Sequence, residues 1–308
     1  MKTFLYIILL ILLDAQVVFA ISPFGVVTVP VANLREEPRH GSELMSQAIM
    51  GTPLKINSRQ GEWYAVTMPD GYEGFMIGNS IALMDKTTFQ NWQTSARAYV
   101  TEMAVNLLSA PDKKAPSVSP LQLSDIVEVT DSLENNFLKV RLPDGREGFI
   151  EETYLEEFKP FGNGNPSVAE IILKRGESLL GQEYLWGGTS AKAADCSGFT
   201  RILFQASGTY LPRDAWQQAL EGNQVMENEL LPGDLIFFSN AKGRVNHVGI
   251  YAGDGMMLHC SGRVKLDRIV SDEKGSELYP VKPSQYRRML TGAPLKSDMK
   301  ANDLYFNN

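Results

Sequence analysis

Cysteine 196 has the surroundings of a nucleophile. It lies in the run Asp-Cys-Ser-Gly-Phe at positions 195–199. Apolar residues then recur at the spacing of one helix face, at Phe199, Ile202, Leu203 and Ala206. This pattern predicts Cys196 at the amino-terminal end of an amphipathic helix, where the partial positive charge favours a thiolate. Backbone N–H groups at that end can bind a developing oxyanion, and Gly198 is interpreted as room for substrate.

A cysteine nucleophile needs a base, and the chain offers three histidines: His40, His247 and His259. His40 lies in the first half and is interpreted as a surface residue. His247 begins and His259 ends two β-rich runs that flank the turn sequence at 252–255, so the pair is predicted on one antiparallel hairpin. A three-residue loop would place the two histidines directly opposite each other, with Cβ atoms about 5 Å apart. His247 is the predicted base, and His259 the group that orients it.

Other interpretations of these residues stay open. Each histidine can be a polar strand residue that bonds only to backbone, and Asp195 can be a simple helix cap. Cys196, His247 and His259 could also form a zinc site, although their local spacings match no familiar zinc pattern, and no metal or cofactor is predicted. Cys260 follows His259 directly, so it is predicted on the opposite face, buried and inert. A disulfide between the two cysteines is the alternative to the free thiols that we expect.

The elements that must position these residues begin after a linker. Residues 159–166 are rich in Gly, Asn and Pro, and a helix is predicted from about 167 to 180. Ser167 and Glu170 fit a capping box at its start.

The first half contains one pattern twice. Residues 31–34 recur at 104–107, and the run Pro-Asp-Gly at 69–71 recurs at 143–145, an offset of 73 to 74 residues. So long a period indicates a duplicated domain. Short alternating runs before each Pro-Asp-Gly turn predict β-hairpins and therefore small barrels, with a short helix between the copies.

The amino terminus and the overall charge bear on location and partners. Lys2, an apolar run at 4–13 and the small-residue ending at 18–20 predict a signal peptide, with an uncleaved anchor as the alternative. The run is too short to span a membrane, and Asp14 follows it. The mature protein is therefore expected outside the cytoplasm, periplasmic or secreted, without a membrane span. A net charge of −7 argues against a nucleic-acid partner, which would need a basic face.

The first copy resembles the bacterial SH3-like domain in the run Asn-Leu-Arg-Glu-Glu-Pro at 33–38 and in the hairpin at 69–75. The second copy departs from it, with Leu108 where the first has Arg35. The resemblance implies domains that bind cell wall or shape the cleft of an attached enzyme, with inert spacers as the alternative.

The second half resembles the NlpC-type cysteine peptidases, which have a papain-like fold. Six matching segments follow in the same order, at 184–188, 195–199, 211–213, 231–238, 246–251 and 258–261. The resemblance implies a catalytic triad of Cys196, His247 and His259, with Tyr184 beside Cys196 in the oxyanion region. It also implies cleavage of peptidoglycan-derived peptides between γ-D-glutamate and a diamino acid.

Two SH3-like domains before the peptidase resemble the dipeptidyl-peptidase VI subset, which requires a free N-terminal L-alanine. That resemblance implies an obstructed cleft that binds an ammonium group. The substrate-binding candidates are Asp195, Ser197, Trp186, Arg213, Glu37 and Tyr72. An endopeptidase acting on intact peptidoglycan and a non-catalytic wall-binding protein are the competing functions.

The predicted fold is multi-domain, with two all-β SH3-like barrels followed by an α+β papain-like domain. Its predicted parts are a signal peptide at 1–20, a first barrel at 25–84, a connecting helix at 85–97, a second barrel at 98–158, a linker at 159–166, a peptidase domain at 167–292 and a polar tail at 293–308.

Overall fold

A computed structural model describes residues 22–134, 136–162, 165–269 and 279–307. The predicted signal peptide lies outside the described residues. Within them, no helix combines the length and the apolar character needed to cross a membrane.

The first barrel is a seven-stranded antiparallel sheet that contains β1 (Phe24–Val27), β2 (Val31–Arg35), β3 (Leu44–Ile49), β4 (Pro53–Gln60), β5 (Trp63–Thr67), β6 (Glu73–Ile77) and β7 (Ile81–Met84). The second contains β8 (Arg97–Val100), β9 (Val105–Leu108), β10 (Ser117–Leu121), β11 (Ile126–Glu134), β12 (Phe137–Arg141), β13 (Glu147–Glu151) and β14 (Leu155–Glu157). The strand orders are β3-β2-β6-β5-β4-β1-β7 and β10-β9-β13-β12-β11-β8-β14, which correspond position by position. The duplication read from the sequence is thus a duplication of topology.

A single helix, α1 (Lys86–Thr94), connects the barrels. The Asp85 side chain caps it by accepting a hydrogen bond from the Thr88 N–H at 2.7 Å. Phe89 and Trp92 lie on its buried face, as their spacing of three predicts.

The third domain combines helices with a six-stranded antiparallel sheet of order β15-β20-β16-β17-β18-β19. Its helices are α2 (Ala169–Glu177), α3 (Cys196–Gln205), α4 (Ala215–Gln218) and α5 (Lys296–Tyr305). Its strands are β15 (Asn223–Gln224), β16 (Leu235–Ser239), β17 (Val245–Gly253), β18 (Met256–Ser261), β19 (Arg263–Arg268) and β20 (Gln285–Arg288). The fold class is therefore the predicted one: two β barrels and an α+β domain.

Two local predictions in this half are wrong. The Ser167 capping box does not form, because a 3₁₀ turn at Pro166–Val168 precedes α2 and the Asn165 side chain accepts the Ser167 N–H instead. The carboxyl-terminal segment is no polar tail. Helix α5 occupies most of it and buries Ala301, Leu304 and Tyr305, since its apolar residues share one face.

Helix α3 is buried on every side. The sequence predicts one apolar face and one solvated face, yet every residue of α3 is buried, including Arg201 at 2% exposure. Its apolar face packs in the core of the third domain, and the first barrel contributes the partner of Arg201 on the other face. The first barrel is thus packed against the helix that begins at Cys196.

Candidate active site

Cys196 is the first residue of α3, as predicted, and is buried. Asp195 precedes it as the helix cap. One Asp195 carboxylate oxygen accepts the Gly198 N–H at 2.8 Å, and the other accepts the Gly187 N–H at 3.0 Å. The cap therefore joins the start of the helix to the loop before it, which fixes the position of the thiol.

Gly198 has a different purpose from the predicted one. A Cβ at this position would lie 1.9 Å from the carbonyl oxygen of Gly188. The glycine lets α3 approach the neighbouring loop rather than letting a substrate approach the thiol.

Arg213 forms a buried ion pair with Asp195, with Nη2 and Oδ2 2.5 Å apart. Its Nη1 also donates to Asp195 Oδ1 at 3.1 Å and to the hydroxyl of Ser197 at 3.0 Å. The charge of Asp195 is thus neutralised within the protein, and the guanidinium is held by the residues on both sides of Cys196. Asp195 and Arg213 thus support the segment that carries the nucleophile, and their contact with substrate stays a prediction.

The Cys196 thiol is protonated at neutral pH. Burial raises its pKa to about 11, and the Asp195 carboxylate adds to this effect. Backbone N–H groups of Val248 and Ser197 act in the opposite direction but do not outweigh burial. The helix terminus favours a thiolate, as expected, but desolvation outweighs its effect. Attack by this sulfur requires a base.

The two histidines form one hydrogen-bonded line with a carboxylate. Nε2 of His247 lies 2.7 Å from Nδ1 of His259, and Nε2 of His259 lies 2.9 Å from Oδ2 of Asp267. His247 is on β17, so its backbone neighbour Val248 is the residue whose N–H reaches the Cys196 sulfur.

The predicted hairpin register is wrong by two residues. His259 pairs with Gly249, not with His247. The loop is the two-residue turn Asp254-Gly255, both with positive φ, and a register shift between Tyr251 and Gly253 accommodates the extra residue. A shift of two keeps both histidines on one face, so the rings meet diagonally.

Asp267 determines the tautomer of both rings. Burial alone raises the pKa of the Asp267 carboxyl, but hydrogen bonds from Lys265 and His259 lower it below its ordinary value. The ionised carboxylate only accepts, so Nε2 of His259 carries its proton and Nδ1 accepts from Nε2–H of His247. Nδ1 of His247 is then left with a free lone pair, which is the form that a base needs.

Burial keeps His247 neutral. It lowers the pKa of this imidazole to about 3, and repulsion from His259 and Lys265 adds to the effect. The ring stacks on Tyr279 at 19° between planes, and Tyr279 meets His259 edge-on at 5.3 Å. The aromatic contact restricts rotation of both imidazoles.

Cys196 opens onto a cleft of about 440 Å³ between the first barrel and the third domain. Its lining contains Tyr184, Trp186, Asp195, Ser197 and Arg213 from the third domain, and Glu36, Glu43, Met45 and Tyr72 from the barrel. The remaining lining residues are Asp214, Ala215, Trp216, Asn240, Arg244, Val245 and Asn246. The structure thus brings all predicted substrate-binding residues except Glu37 to one cleft.

Glu37 is not among the residues that line this cleft. Its carboxylate pairs with Arg39 at 2.6 Å on the exposed surface, and Glu36 lines the cleft instead. Glu43 also lines it, and its carboxylate accepts the indole N–H of Trp186 at 2.9 Å. Because that donor is neutral, the charge of Glu43 is not cancelled by it.

Three segments of the chain match known families. Residues 181–280 match the NlpC/P60 family, 34–81 match the bacterial dipeptidyl-peptidase Sh3 domain, and 104–156 match the bacterial SH3 domain. A gamma-D-glutamyl-L-lysine dipeptidyl-peptidase of Bacillus subtilis (strain 168) is 32% identical over 226 residues, which is 70% of this chain and 72% of that protein. The chain belongs to the NlpC/P60 family. This is a family of cysteine peptidases, and the third domain contains the segment that matches it.

Other relatives share the arrangement. The dipeptidyl-peptidase 6 of Lysinibacillus sphaericus is 25% identical and covers 77% of this chain and 87% of its own length. A crystal structure of an NlpC/P60 family protein from Bacillus cereus ATCC 10987 covers 87% of this chain and 99% of its own, with a TM-score of 0.74 and 23% identity. That likeness shows the same fold across the barrels and the NlpC/P60 domain.

The structure adds residues that the sequence interpretation of this domain missed. Asp267 lies on β19, which neighbours β18, two positions from the residue paired with His259. A carboxylate at that diagonal position could have predicted a hydrogen-bond partner for His259. Tyr279 lies beyond a segment outside the described residues, and nothing in its surroundings in the sequence singles it out.

The two cysteines are both free thiols, as expected. Cys260 is fully buried and its sulfur donates to the carbonyl of Ala194 at 3.2 Å. Tyr184 lines the cleft, and burial followed by the neighbouring Cys196 raises the pKa of its hydroxyl, which keeps it a hydrogen-bond donor.

Proposed function

We propose that this protein is an exported cysteine peptidase that hydrolyses the γ-D-glutamyl–diamino acid bond of peptidoglycan stem peptides with a free N-terminal L-alanine. It would release L-alanyl-γ-D-glutamate. The observation that carries the proposal is the cleft at Cys196, one side of which is an acidic wall supplied by the first barrel.

The hydrogen-bonded line ending at Asp267 supports the catalytic roles. In the first step, Nδ1 of His247 takes the thiol proton while the sulfur of Cys196 attacks the γ-glutamyl carbonyl carbon. The electron pair of the carbonyl moves to oxygen, where the α3 N-terminus and the hydroxyl of Tyr184 can donate hydrogen bonds. His259 shares the positive charge that forms on His247, since its own proton is held by Asp267.

Collapse of this adduct expels the amine of the diamino acid, which takes the proton from His247. A water molecule then attacks the thioester, His247 removes a proton from that water, and the thiolate leaves and is reprotonated. The pKa values fit a general-base route, because a raised thiol pKa at Cys196 and a lowered imidazole pKa at His247 both disfavour a preformed ion pair.

The barrel side of the cleft supports selection of a free amine. Glu36 and Glu43 bring two carboxylates to that side, and Tyr72 adds a hydroxyl. An ammonium group is a matching ligand for such a wall, whereas an acylated amine or a longer chain would meet carboxylates without a positive charge. Relatives of this chain named gamma-D-glutamyl-L-lysine dipeptidyl-peptidase and dipeptidyl-peptidase 6 agree with this substrate class.

Mass spectrometry of products from L-Ala-γ-D-Glu-diaminopimelate and its lysine counterpart tests the proposal. Wild type should release the dipeptide L-Ala-γ-D-Glu, and Cys196→Ala should remain folded and release none. Cys260→Ala is the matched control, since it removes the other buried thiol and should keep activity. Cleavage by the Cys196→Ala variant would end the proposal.

Three further samples separate the competing functions. The N-acetylated tripeptide should be a poor substrate, whereas equal cleavage of both forms with release of fragments from intact peptidoglycan would indicate an endopeptidase. Activity should persist in a chelator, and its loss would indicate a metal-dependent hydrolase. Binding to peptidoglycan without cleavage of any peptide would indicate a wall-binding protein.

A further inference from the structure

The Pro-Asp-Gly turn of the first barrel is held from two directions. Oδ2 of Asp70 pairs with Nη1 of Arg201 at 2.6 Å, with both side chains at most 5% exposed. Nζ of Lys300 donates to the backbone carbonyl of Asp70. The remaining carboxylate oxygen, Oδ1, accepts the N–H of Tyr72 at 3.0 Å. Asp70 thus connects helices α3 and α5 to the residue whose side chain lines the cleft.

Arg201 gives this contact a short path to the nucleophile. It lies on α3, five residues after Cys196, which is about 7.5 Å along a helix axis. Its other guanidinium nitrogen donates to the hydroxyl of Tyr210, so the buried charge has two partners. Helix α3 therefore carries both the Cys196 thiol and the Arg201 side chain that binds the turn before Tyr72.

Helix α5 contacts the third domain, the linker and both barrels. Asp298 accepts the N–H of Tyr210 at 2.6 Å, and Asn302 bonds to both backbone groups of Phe161. Leu304 and Tyr305 pack in a cluster that also includes residues of both barrels, among them Val26, Met84 and Ile126. Lys300 is therefore held on a helix fixed by side chains of three domains.

The second barrel shows that anchoring by distant helices is not a general property of the Pro-Asp-Gly turn. Its equivalent residue, Asp144, makes the same turn bond to the N–H of Arg146 at 3.2 Å. Within the described part of the chain, its other oxygen pairs with the exposed Arg146 side chain alone, at 2.7 Å. A Cβ at Gly71 would lie 2.2 Å from Nζ of Lys300, whereas a Cβ at Gly145 would meet nothing within 4 Å.

From these contacts we propose that Arg201 and Lys300 are positioning residues, which hold Tyr72 at the ammonium-binding side of the cleft through Asp70. Helix α5 then contributes to selectivity for a free amino terminus, although none of its residues lines the cleft. This inference rests on the proposed function.

The test measures kcat and KM for the free and N-acetylated tripeptides with Asp70→Asn and Lys300→Met. Asn keeps the oxygen that accepts the Tyr72 N–H but carries an amide NH₂ in place of the second oxygen. Met keeps the aliphatic stem of Lys300 and removes the ammonium. Both variants should lower the ratio of the two kcat/KM values by about tenfold, mainly through a higher KM for the free peptide. The kcat should change by less than about twofold.

Matched controls are Asp144→Asn, which changes the same turn in the second barrel, and Lys296→Met, which removes a lysine from the same helix. Neither should alter the ratio. Lys300→Met carries the test if Asp70→Asn does not fold, because Lys300 is exposed. An unchanged ratio in a folded Lys300→Met variant overturns the inference and leaves the proposed function intact.

Hydrogen–deuterium exchange gives a readout that needs no activity. Amides of residues 68–74 should exchange faster in Lys300→Met than in wild type or Lys296→Met. If wild type cleaves neither peptide, the proposed function fails. The exchange rates alone then decide whether Lys300 fixes the turn at 69–71. Equal exchange in all three proteins would overturn the positioning role.

Discussion

Removal of the Asp267 carboxylate should slow the chemical step without weakening substrate binding. In Asp267→Ala, Nε2 of the fully buried His259 loses its acceptor. His259 can then carry its proton on Nδ1 and donate to His247, which would place the His247 proton on Nδ1. That tautomer cannot take a proton from Cys196.

The size of the effect follows from the lost hydrogen bond. A hydrogen bond to a charged group contributes about 1.5–3 kcal/mol, and the 26% exposure of the Asp267 side chain favours the lower part of this range. At about 1.4 kcal/mol per factor of ten, kcat should fall roughly 10- to 40-fold. KM should stay within about twofold, because Asp267 is absent from the cleft lining.

The assay is steady-state hydrolysis of L-Ala-γ-D-Glu-diaminopimelate, with melting temperatures to verify folding. Lys265→Met is the control, since Lys265 contacts the same carboxylate oxygen at 2.9 Å. Lys265 lowers the pKa of His247, so its removal should leave the base intact or strengthen it. The two variants should therefore change kcat unequally.

A wild-type kcat in folded Asp267→Ala would refute the tautomer argument. A loss expressed only in KM would refute it as well, because it would assign Asp267 to substrate binding. An equal loss of kcat in Lys265→Met would show that the effect comes from disturbed packing of β19 and not from the missing carboxylate.

Three further perturbations test the site and its support. Arg213→Met should lower the free energy of unfolding by about 3 kcal/mol, measured in urea, because it leaves the buried Asp195 carboxylate without its cation. Alkylation of Cys196 by iodoacetamide should rise about tenfold per pH unit from pH 7 to 10, since its pKa is about 11; a plateau below pH 8 would instead indicate a preformed thiolate. Gly71→Ala should reduce the free-amine preference and Gly145→Ala should not, although both glycines have positive φ and suffer the same backbone strain.

The sequence predicts the site best where one local rule is enough. Cys196 begins its helix because Asp195 is a cap residue and the following apolar residues share a face. The two barrels follow from repeated motifs, and the meeting of His247 with His259 survives the register error because side chains alternate with a period of two.

It fails where the outcome depends on contacts between distant segments. The hairpin register depends on a bulge, which periodicity does not reveal. Glu36 and Glu37 are equally acidic, and only the packing of the barrel decides which one lines the cleft. The raised pKa of Cys196 reflects its burial in the folded protein, whereas the helix terminus alone predicts a lower value.

Divergence of the two barrels explains why a peptidase would retain both. The first barrel faces the cleft, and the second supports the first: Nη2 of Arg146 donates to the carbonyl of Thr28 at 3.2 Å, and the buried Asp125 accepts the N–H of Met50 at 3.2 Å. Arg146 occupies the position equivalent to Tyr72, so the same hairpin that lines the cleft in one copy binds the other barrel in the second. Removal of the second barrel would expose the Met50 N–H and the surface at Gly51 that packs on Ile126, and would loosen the acidic wall. Selectivity for a free amine would therefore depend on a domain that contributes no residue to the cleft lining.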